Sequence, residues 1–554
     1  MTATDSPFQP ERFSTHAVDN QPPPLLGYDA YASDPVLRDC VARHGAAGFD
    51  GRLGDYGRLV GGELLEHGFL ANRHRPELRL FDRYGHRLDE VEFHPSYHAL
   101  MRTAIAHGVH ALSWQSQAPG RQVARAALSY LHHQAEAGSS CPLTMTHAGA
   151  AVLAAEPGLD PRWLSTLCSA EYDPRLAGLA DKRGLTLGMG MTEKQGGSDV
   201  RSNSTRAHAL GGAEFALVGH KWFFSAPMSD AFLVLAQEGE AGLSCFLLPR
   251  VLDDGRRNAI RLQRLKDKLG NWANASSEVE FQGAWAHRLG APGRGVATII
   301  EMVALTRLDC MLGSAAEMRR ALVEALHHAR HRRSFGRRLI EHPLMAHVLA
   351  ELALESEAAT RLALRVAAAI DRSGSDAHEA ALARVATGIG KYWVCRRAPA
   401  VVNEAQECLG GAGYVEESIL ARLYREAPLN SIWEGCGNIQ CLDVLRALAR
   451  EPACAEALRR ELEPARGAHA DYDRALAEIS GWLGSPPEVQ EFRARWGVER
   501  LALLLQARLL LEASDPDIAA LFCATRLGGE GGRALGTLPS GAPVAKLLAS
   551  CWVG

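Results

Sequence analysis

Long apolar runs are absent from this sequence, and so are the features of a secreted or metal-binding protein. No uninterrupted apolar stretch approaches the roughly 20 residues needed to cross a bilayer. The chain does not start with basic residues followed by an apolar stretch, as a secretory signal would. The 12 cysteines are scattered, without the paired spacing of metal ligands. We therefore expect a cytoplasmic protein with reduced thiols, no bound metal and no membrane contact.

A strong net charge is absent as well. The chain carries 60 lysines and arginines against 64 aspartates and glutamates, a formal net charge of −4 at pH 7. Such a balance gives no whole-chain attraction to nucleic acid or to an anionic membrane. With 554 residues, 47% of them hydrophobic, the chain has enough material for several domains with large cores.

The sequence pattern changes along the chain in a way that predicts four domains: 1–183, 184–290, 291–448 and 449–554. The first has an extended arm at Pro22–Pro24 and then helical apolar spacing, as in Arg121–Ala135. The second has short apolar runs between Gly, Pro and Asp clusters, which are typical of an antiparallel sheet. The last two are rich in helix-forming residues, with Leu344–Arg372 as the longest predicted helix. Helices separated from an antiparallel sheet make the fold class α+β.

Two segments that lie far apart in the chain carry residues suited to chemistry. Met191–Val200 reads Met-Thr-Glu-Lys-Gln-Gly-Gly-Ser-Asp-Val, and Ile432–Gly435 reads Ile-Trp-Glu-Gly. The first resembles the M-T-E-x-x-x-G-S-D loop that lines the flavin in the acyl-CoA dehydrogenase superfamily. The second resembles the Tyr/Trp-Glu-Gly segment that carries the catalytic base there. Either motif alone is a weak signal, because glycine-rich turns and Trp-Glu pairs arise by chance, but both in this order are specific.

Further segments extend the resemblance over most of the chain. They are Gly219–Ser225, Leu265–Asn271, Arg332–Gly336 and Leu409–Tyr414. The chain length, the leader at Asn20–Pro24 and the helical tail are similar to the AidB branch, flavoproteins associated with the bacterial response to DNA alkylation. The resemblance implies an acyl-CoA dehydrogenase-like fold. Its parts would be an N-terminal α-helical domain, a central antiparallel β-barrel, a four-helix bundle and an extra C-terminal helical domain.

The resemblance also implies a noncovalent FAD site. Thr192 would offer its hydroxyl to flavin N5, Ser198 would bind the pyrophosphate, and Gly197 would let the backbone approach that anion closely. Phe223 stands where most relatives have a Trp that packs on the flavin, although core packing is an open alternative for Phe223. Ser225 stands where they have a Thr. The residues implied for FAD are Met191, Thr192, Gly197, Ser198, Phe223, Phe224, Ser225, Arg332, Phe335, Gly410, Gly411, Ile432, Trp433, Gly435, Gly437 and Asn438.

Part of that set implies a homotetramer, or at least a dimer, whose subunits share FAD. Arg332, Phe335 and the Gly410–Gly411 turn match positions that relatives direct at a neighbour's cofactor. A guanidinium suits a pyrophosphate because it donates two parallel hydrogen bonds. Glu407 and Pro343 depart from the family, which typically has Gln at both positions. We therefore expect the adenosine end to be held differently or more weakly.

Glu434 is the residue that we expect to act as the catalytic base. Removing an α-proton next to a thioester needs a carboxylate in a desolvated pocket, where its pKa rises toward the working pH. The resemblance implies that the backbone N–H of Glu434 also stabilises the enolate. Branched-chain relatives place their base just before an Arg on a helix, but that position here is Thr306, before Arg307. A structural role for Glu434, as a cap or partner within a turn, is the alternative.

Double-stranded DNA is a second implied partner, because AidB-like proteins are thought to contact DNA through the C-terminal extension. Our candidate contacts are Arg493, Arg495 and Arg500. Composition argues against strong binding, since residues 451–554 contain 11 lysines and arginines against 14 aspartates and glutamates, a net charge of −3.

His327 and His331 are spaced to face one metal ion, but no third ligand accompanies them, so we predict no metal site.

Two functions follow from these residues. One is a flavin-carrying, DNA-associated protein of the alkylation response with weak, isovaleryl-CoA-like dehydrogenase activity. The other is a metabolic dehydrogenase for a short or branched acyl thioester without a DNA role. The tail favours the first, and so does the lack of a clear signature for gripping the CoA nucleotide. Trp433 replaces the more common Tyr and would crowd the acyl side of the pocket.

Overall fold

The structure is a computed structural model that describes residues 15–552. Helices and one short hairpin form the first part of the fold. The helices are α1 (Pro35–Arg43), α2 (Asp50–Val60), α3 (Glu63–Arg73), α4 (Pro95–Ala106), α5 (Leu112–Gln115), α6 (Arg121–Ala135), α7 (Ser140–Ala154) and α8 (Arg162–Leu167). The hairpin consists of β1 (Glu77–Phe81) and β2 (Arg87–Glu92), which the helical sequence pattern does not predict.

Within residues 15–552, seven strands form the central sheet. They are β3 (Leu187–Gly190), β4 (Arg206–Gly211), β5 (Glu214–Ser225), β6 (Ala231–Gln237), β7 (Leu243–Pro249), β8 (Ile260–Leu265) and β9 (Ser276–Leu289). The order is β3-β6-β4-β5-β9-β7, with β8 on β9, and β6 also pairs with β7, so the sheet closes as a barrel. Most pairings are antiparallel, as predicted, but β6 pairs in parallel with β3 and at one point with β4.

Four long helices pack as a bundle beside the barrel: α9 (Gly295–His331), α10 (Pro343–Arg372), α11 (Ala377–Cys408) and α14 (Gly437–Arg450). Between them lie the short elements β10 (Arg333–Ser334), β11 (Arg337–Arg338), α12 (Gly411–Tyr414) and α13 (Ile419–Glu426). Helix α9 has 37 residues and α10 has 30, so the prediction that Leu344–Arg372 is the longest helix is wrong. Buried polar residues such as Asp309 and Arg319 interrupt the apolar repeat of α9, which hides its length in the sequence.

The C-terminal extension covers the outer side of the bundle. Its helices are α15 (Pro452–Leu462), α16 (Ala470–Leu483), α17 (Pro487–Phe492), α18 (Ala494–Ala513), α19 (Pro516–Phe522) and α20 (Val544–Ser550). Helix α18 packs on α10, α11 and α16, and all of Leu501–Leu505 is buried. Buried Arg365 of α10 reaches Glu461 of α15 at 2.8 Å, so an ion pair also ties the extension to the bundle.

One continuous core joins the first helices, the bundle and the extension. Helix α6 is buried along nearly its whole length rather than on one face, because α2, α9 and α10 surround it. Its Arg125 donates from Nη2 to Asp309 Oδ2 at 2.7 Å, and both side chains are buried. Removing either partner would leave an unpaired buried charge, at a cost of about 3–5 kcal/mol. No helix within residues 15–552 has the length and apolar character that a membrane crossing needs.

Candidate functional site

A cavity of about 660 Å³ lies between the barrel, helices α7 and α9, and the chain that links α13 to α14. The predicted site residues that line it are Met191, Thr192, Gly197, Ser198, Phe223, Ser225, Ile432, Trp433, Glu434 and Gly435. The two motifs, which are far apart in the sequence, therefore meet at one cavity. The fold brings a hydroxyl- and glycine-rich loop opposite a carboxylate.

A buried ion pair holds the loop after β3 in place. Lys221 of β5 donates from Nζ to Glu193 Oε1 at 2.8 Å and to the Leu235 carbonyl at 2.8 Å. Glu193 also accepts from the Ser204 backbone N–H at 2.6 Å. Burial alone would raise the pKa of Glu193, but Lys221 lowers that pKa to about 2. The Glu of the loop motif is thus an anchor, a role that sequence reasoning missed because Lys221 lies on a different strand.

The loop fits a flat ligand that packs closely against backbone. A Cβ placed on Gly197 would lie 2.4 Å from Thr192 Oγ1, so a larger residue would displace this hydroxyl. Phe223 is 53% exposed and lines the cavity, which favours a role in the cavity wall over core packing. Hydroxyls from Thr192, Ser198 and Ser225 line the same space. An aromatic wall with hydrogen-bonding groups around it is what a flavin ring and its phosphates require.

Phe224 does not line the cavity, so its assignment to the cofactor is corrected. Its ring lies 4.2 Å from that of Phe232 and 6.0 Å from that of Phe281, measured between centroids, in the barrel core. Neighbouring residues of a strand point to opposite faces, so Phe223 and Phe224 cannot both face one cavity. Of these two aromatic residues, Phe223 lies in the cavity wall and Phe224 lies in the barrel core.

The Glu434 side chain faces the cavity and is oriented by a helix. Thr306 of α9 donates from Oγ1 to Glu434 Oε2 at 2.9 Å. Burial raises the pKa of Glu434, while Thr306, Lys391 and Arg307 oppose that rise. The position at which branched-chain relatives carry their base therefore supplies, in this chain, a hydroxyl that orients Glu434. A partly buried carboxylate with a raised pKa is suited to accept a proton.

The backbone around Glu434 is clamped by side chains of α11 and α14. Lys391 donates from Nζ to the carbonyls of Trp433 at 2.7 Å and Gly435 at 2.6 Å. Gln440 donates to the carbonyls of Glu434 and Gly435, both at 2.9 Å. Glu434 itself has φ 58°, a left-handed conformation that is uncommon outside glycine. The clamp explains how this backbone is maintained, and no local pattern in the sequence reveals Lys391.

The remaining residues of the predicted FAD set lie away from this cavity. Arg332 donates from Nη1 to the Asn20 carbonyl at 2.7 Å, Phe335 is 94% exposed, and Gly410 and Gly411 are exposed. Gly437 begins α14 against Tyr392, and Asn438 accepts from Arg495 Nε at 2.8 Å. Within one chain, the assignment of Gly437 and Asn438 to the cofactor is not supported. The exposed positions are those that the family resemblance assigns to the cofactor of a neighbouring subunit.

The three candidate DNA contacts differ in their surroundings. Arg493 is exposed, with its guanidinium 3.9 Å from the Trp496 ring centre. Arg495 is also exposed. Arg500 instead pairs with Glu478 at 3.0 Å and donates to the carbonyl groups of residues 526 and 527, so its assignment to DNA is corrected. Its donors already serve to hold the extension together.

The paired histidines do not form a metal cluster. The His327 and His331 rings lie 4.4 Å apart, and His327 Nε2 lies 2.7 Å from the Pro23 carbonyl. No group of three or more candidate metal ligands is present in the described part of the chain. These side chains tie the proline arm to the end of α9.

Three family models match consecutive parts of the chain. The "Adaptive response protein AidB N-terminal domain" matches residues 20–174. The middle domain of acyl-CoA dehydrogenases matches residues 188–284. The C-terminal domain of acyl-CoA dehydrogenases matches residues 293–449.

Individual relatives match nearly end to end. The AidB protein of Escherichia coli strain K12 is 48% identical over 523 residues, which are 94% of this chain and 96% of that protein. Acyl-CoA dehydrogenase family member 11 of Caenorhabditis elegans is 30% identical and covers 89% of this chain and 79% of that protein. The crystal structure of C. elegans ACDH-11 in complex with C11-CoA matches with a TM-score of 0.83 at 25% identity, covering 93% of this chain and 95% of the other. The chain therefore belongs to the AidB branch of the acyl-CoA dehydrogenase family, and FAD is its cofactor.

Proposed function

We propose that this chain is a cytoplasmic FAD protein of the DNA alkylation response that binds double-stranded DNA and has weak acyl-CoA dehydrogenase activity. The match to the adaptive-response domain and the 48% identity to E. coli AidB support the response. The observation that carries the redox part is that Glu434 and the loop containing Thr192 and Ser198 line one cavity.

Glu434 is the group that would accept the proton in this cavity. Its carboxylate is held by Thr306, and the clamp from Lys391 fixes the backbone on either side of it. On a bound acyl thioester it would take the α-proton, and its own N–H would stabilise the oxygen that gains charge. FAD, when bound, supplies the acceptor for the hydride that leaves the β-carbon. The residues therefore divide into a base, its orienting hydroxyl and the loop that positions the cofactor.

The surroundings of Glu434 combine a few polar groups with a lining that is mostly apolar. Asp309 lies three residues after Thr306 on α9, so both face the same side of the helix, and both line the cavity. Trp433 donates from Nε1 to Asn430 Oδ1 at 2.9 Å, and both of these residues line the cavity too. The apolar part of the lining provides the contacts from which an acyl chain gains most.

The direct test is anaerobic titration of the FAD-loaded protein with short, branched and long acyl-CoA thioesters, followed by loss of the visible flavin absorbance. We expect slow bleaching in the wild type. Glu434→Gln should slow it about 100-fold or more while FAD stays bound, because an amide cannot accept the proton. Glu488→Gln, an exposed position on α17 outside the cavity, is the control that should leave the rate unchanged.

Each outcome of that titration bears on the proposal. A Glu434→Gln variant that bleaches as fast as the wild type removes Glu434 as the base. Rapid bleaching by the wild type together with no DNA binding at low salt favours the metabolic dehydrogenase instead. DNA binding without bleaching by any thioester retains the alkylation-response role and removes the dehydrogenase role.

The proposal includes a homotetramer, or at least a dimer, whose subunits share FAD. Arg332 and Phe335 are on the surface at the end of α9, where they make no contact with the cavity of their own chain. Exposed aromatic side chains such as Phe335 are common where a partner covers them. Arg493 and Arg495 are the exposed cations through which we propose the DNA contact.

A further inference from the structure

Lys268 lies on the chain between β8 and β9 and lines the cavity, yet neither motif includes it. Its Nζ donates to the Asn274 carbonyl at 2.6 Å and to Ser276 Oγ at 3.1 Å. It forms no ion pair with any carboxylate in residues 15–552. A cation placed at a ligand cavity without a carboxylate partner keeps its electrostatic influence available to whatever binds there.

A hydrogen-bond chain leads from Lys268 into the cavity. Ser276 begins β9 and pairs in register with Ser225, the last residue of β5, and their Oγ atoms lie 3.1 Å apart. An ammonium group has no acceptor site, so Lys268 must donate to Ser276. The positive charge of Lys268 favours the arrangement in which the Ser276 proton points away from it, toward Ser225, and this arrangement leaves the Ser225 proton for the cavity. In this way the charge of Lys268 biases the direction of the hydrogen bonds.

The titratable groups around Lys268 come from several elements and have mixed signs. Burial lowers the pKa of Lys268 to about 8, Cys141 of α7, Glu426 of α13 and Glu136 raise it, and Arg75 lowers it. Burial also raises the pKa of Glu426, to about 7, and that carboxyl accepts from the Asn271 backbone N–H at 2.7 Å. Lys268 is thus largely charged at neutral pH and titrates in an accessible range.

We infer that Lys268 is a positioning residue for the flavin, acting through Ser276 and Ser225. It would hold a hydroxyl donor at the cavity and place a positive charge beside a cofactor that gains negative charge on reduction. This rests on one part of the proposed function, namely that FAD occupies this cavity with Ser225 beside its ring. A fixed donor and a nearby cation stabilise the reduced form more than the oxidised form. Lys268 should therefore make the bound flavin easier to reduce.

The reduction potential of the bound FAD tests this inference without any substrate. The FAD-loaded protein is reduced gradually with dithionite beside a dye of known potential, and the ratio of oxidised to reduced flavin is read from the spectra. Lys268→Met should weaken reduced-flavin binding about tenfold relative to oxidised flavin at pH 7, which for two electrons corresponds to a potential lower by about 30 mV. Lys268→Arg should restore most of the loss, because it keeps the charge and donors.

Lys546→Met is the control, the same substitution at a lysine of α20. Its ammonium pairs with Asp515 at 3.2 Å and with Asp517 at 2.5 Å, outside the cavity. The potential of this variant should equal that of the wild type. Ser276→Ala keeps the charge but breaks the chain, so its potential should fall between those of the wild type and Lys268→Met. This variant carries the test if Lys268→Met does not fold.

The pH dependence separates charge from packing. The difference between wild type and Lys268→Met should be largest well below pH 8 and decline as pH rises through about 8, because Lys268 loses its proton as its pKa is passed. A difference that is the same at all pH values, or potentials for Lys268→Met and Ser276→Ala equal to that of Lys546→Met, would overturn the inference. Failure of the wild type to bind FAD would instead overturn the proposed function, and the inference with it.

Discussion

At Glu434, two opposing effects set the pKa of the carboxyl group. Burial raises it, and the hydrogen bond from Thr306 is the largest contribution that lowers it. Proton abstraction requires the ionised form, so the rate of flavin bleaching should rise as pH rises through this pKa. The chemistry of the residue depends as much on its partner on α9 as on its own carboxylate.

Thr306→Val should therefore move the rising limb of the pH–rate profile to higher pH. A hydrogen bond to a charged group contributes about 1.5 kcal/mol, which corresponds to a shift of about one pH unit. The measurement is the rate of bleaching by one acyl-CoA between about pH 5 and 9, a range around the pH region in which folded proteins are most stable. Thr306→Ser keeps the hydroxyl and should leave the limb in place. If the rising limb of the pH–rate profile keeps its position in Thr306→Val, Thr306 does not stabilise the ionised base.

Some site residues could be predicted from the sequence at this scale, and others could not. Thr192, Ser198 and Glu434 stand in short motifs whose spacing is itself the signal, and the structure places them at one cavity. Lys221 and Lys391 act from other elements on backbone and carboxylate groups that are distant in sequence. Such contacts depend on the fold, so no local pattern could reveal them.

At the scale of elements, the DNA contact that we propose lies on the C-terminal helices. The extension has a net charge of −3, but Arg493 and Arg495 are exposed at the start of α18. Arg500, further along the same helix, is held by Glu478. Two exposed cations at one helix end can neutralise phosphates only locally, which predicts weak binding without strong sequence preference.

Replacing Arg493 and Arg495 together by Ala should weaken duplex binding and flatten its salt dependence. Each lost phosphate contact should reduce the log–log slope by about 0.9. Binding of a labelled duplex at several salt concentrations measures both quantities. Arg162→Ala removes an exposed cation from α8 and serves as the control. If the double variant keeps the wild-type slope, the DNA contact lies on another surface.

Elements with a clear repeat were also the easier ones to predict. Helix α6 and the buried run of α18 carry strong apolar spacing, and the short apolar runs of the barrel appear as strands. The hairpin of β1 and β2 was missed because its strands are short and rich in charged residues, and only Val91 is buried. The mixed pairing of β6 could not be predicted, because strand order depends on contacts between distant segments.

At the scale of the whole molecule, the proposed sharing of FAD between subunits makes an exposed residue important. Phe335 is 94% exposed within its own chain, so its loss should not affect folding. If a neighbour's cofactor covers it, Phe335→Ala should weaken FAD binding by about 1.5–3 kcal/mol, roughly tenfold to a hundredfold. Phe492 is 92% exposed on the extension, and Phe492→Ala is the matched control.

Light scattering on the same samples measures the assembly directly. We expect the mass of a tetramer, or at least of a dimer, for the FAD-loaded protein. A monomer that holds one FAD per chain, or a Phe335→Ala variant with wild-type affinity, would contradict the shared site.

The central claim is that the cavity between barrel and bundle, closed by the loop containing Gly197, holds FAD beside Glu434. Equilibrium binding of FAD to the apoprotein of Gly197→Ala tests it most directly. A Cβ at this position would lie 2.4 Å from Thr192 Oγ1, whereas one on Gly481 of α16 would meet nothing within 4 Å. We predict that Gly197→Ala loses about tenfold or more in FAD affinity, the equivalent of one hydrogen bond, while Gly481→Ala binds as the wild type does. Equal affinity in all three proteins would show that FAD is held elsewhere.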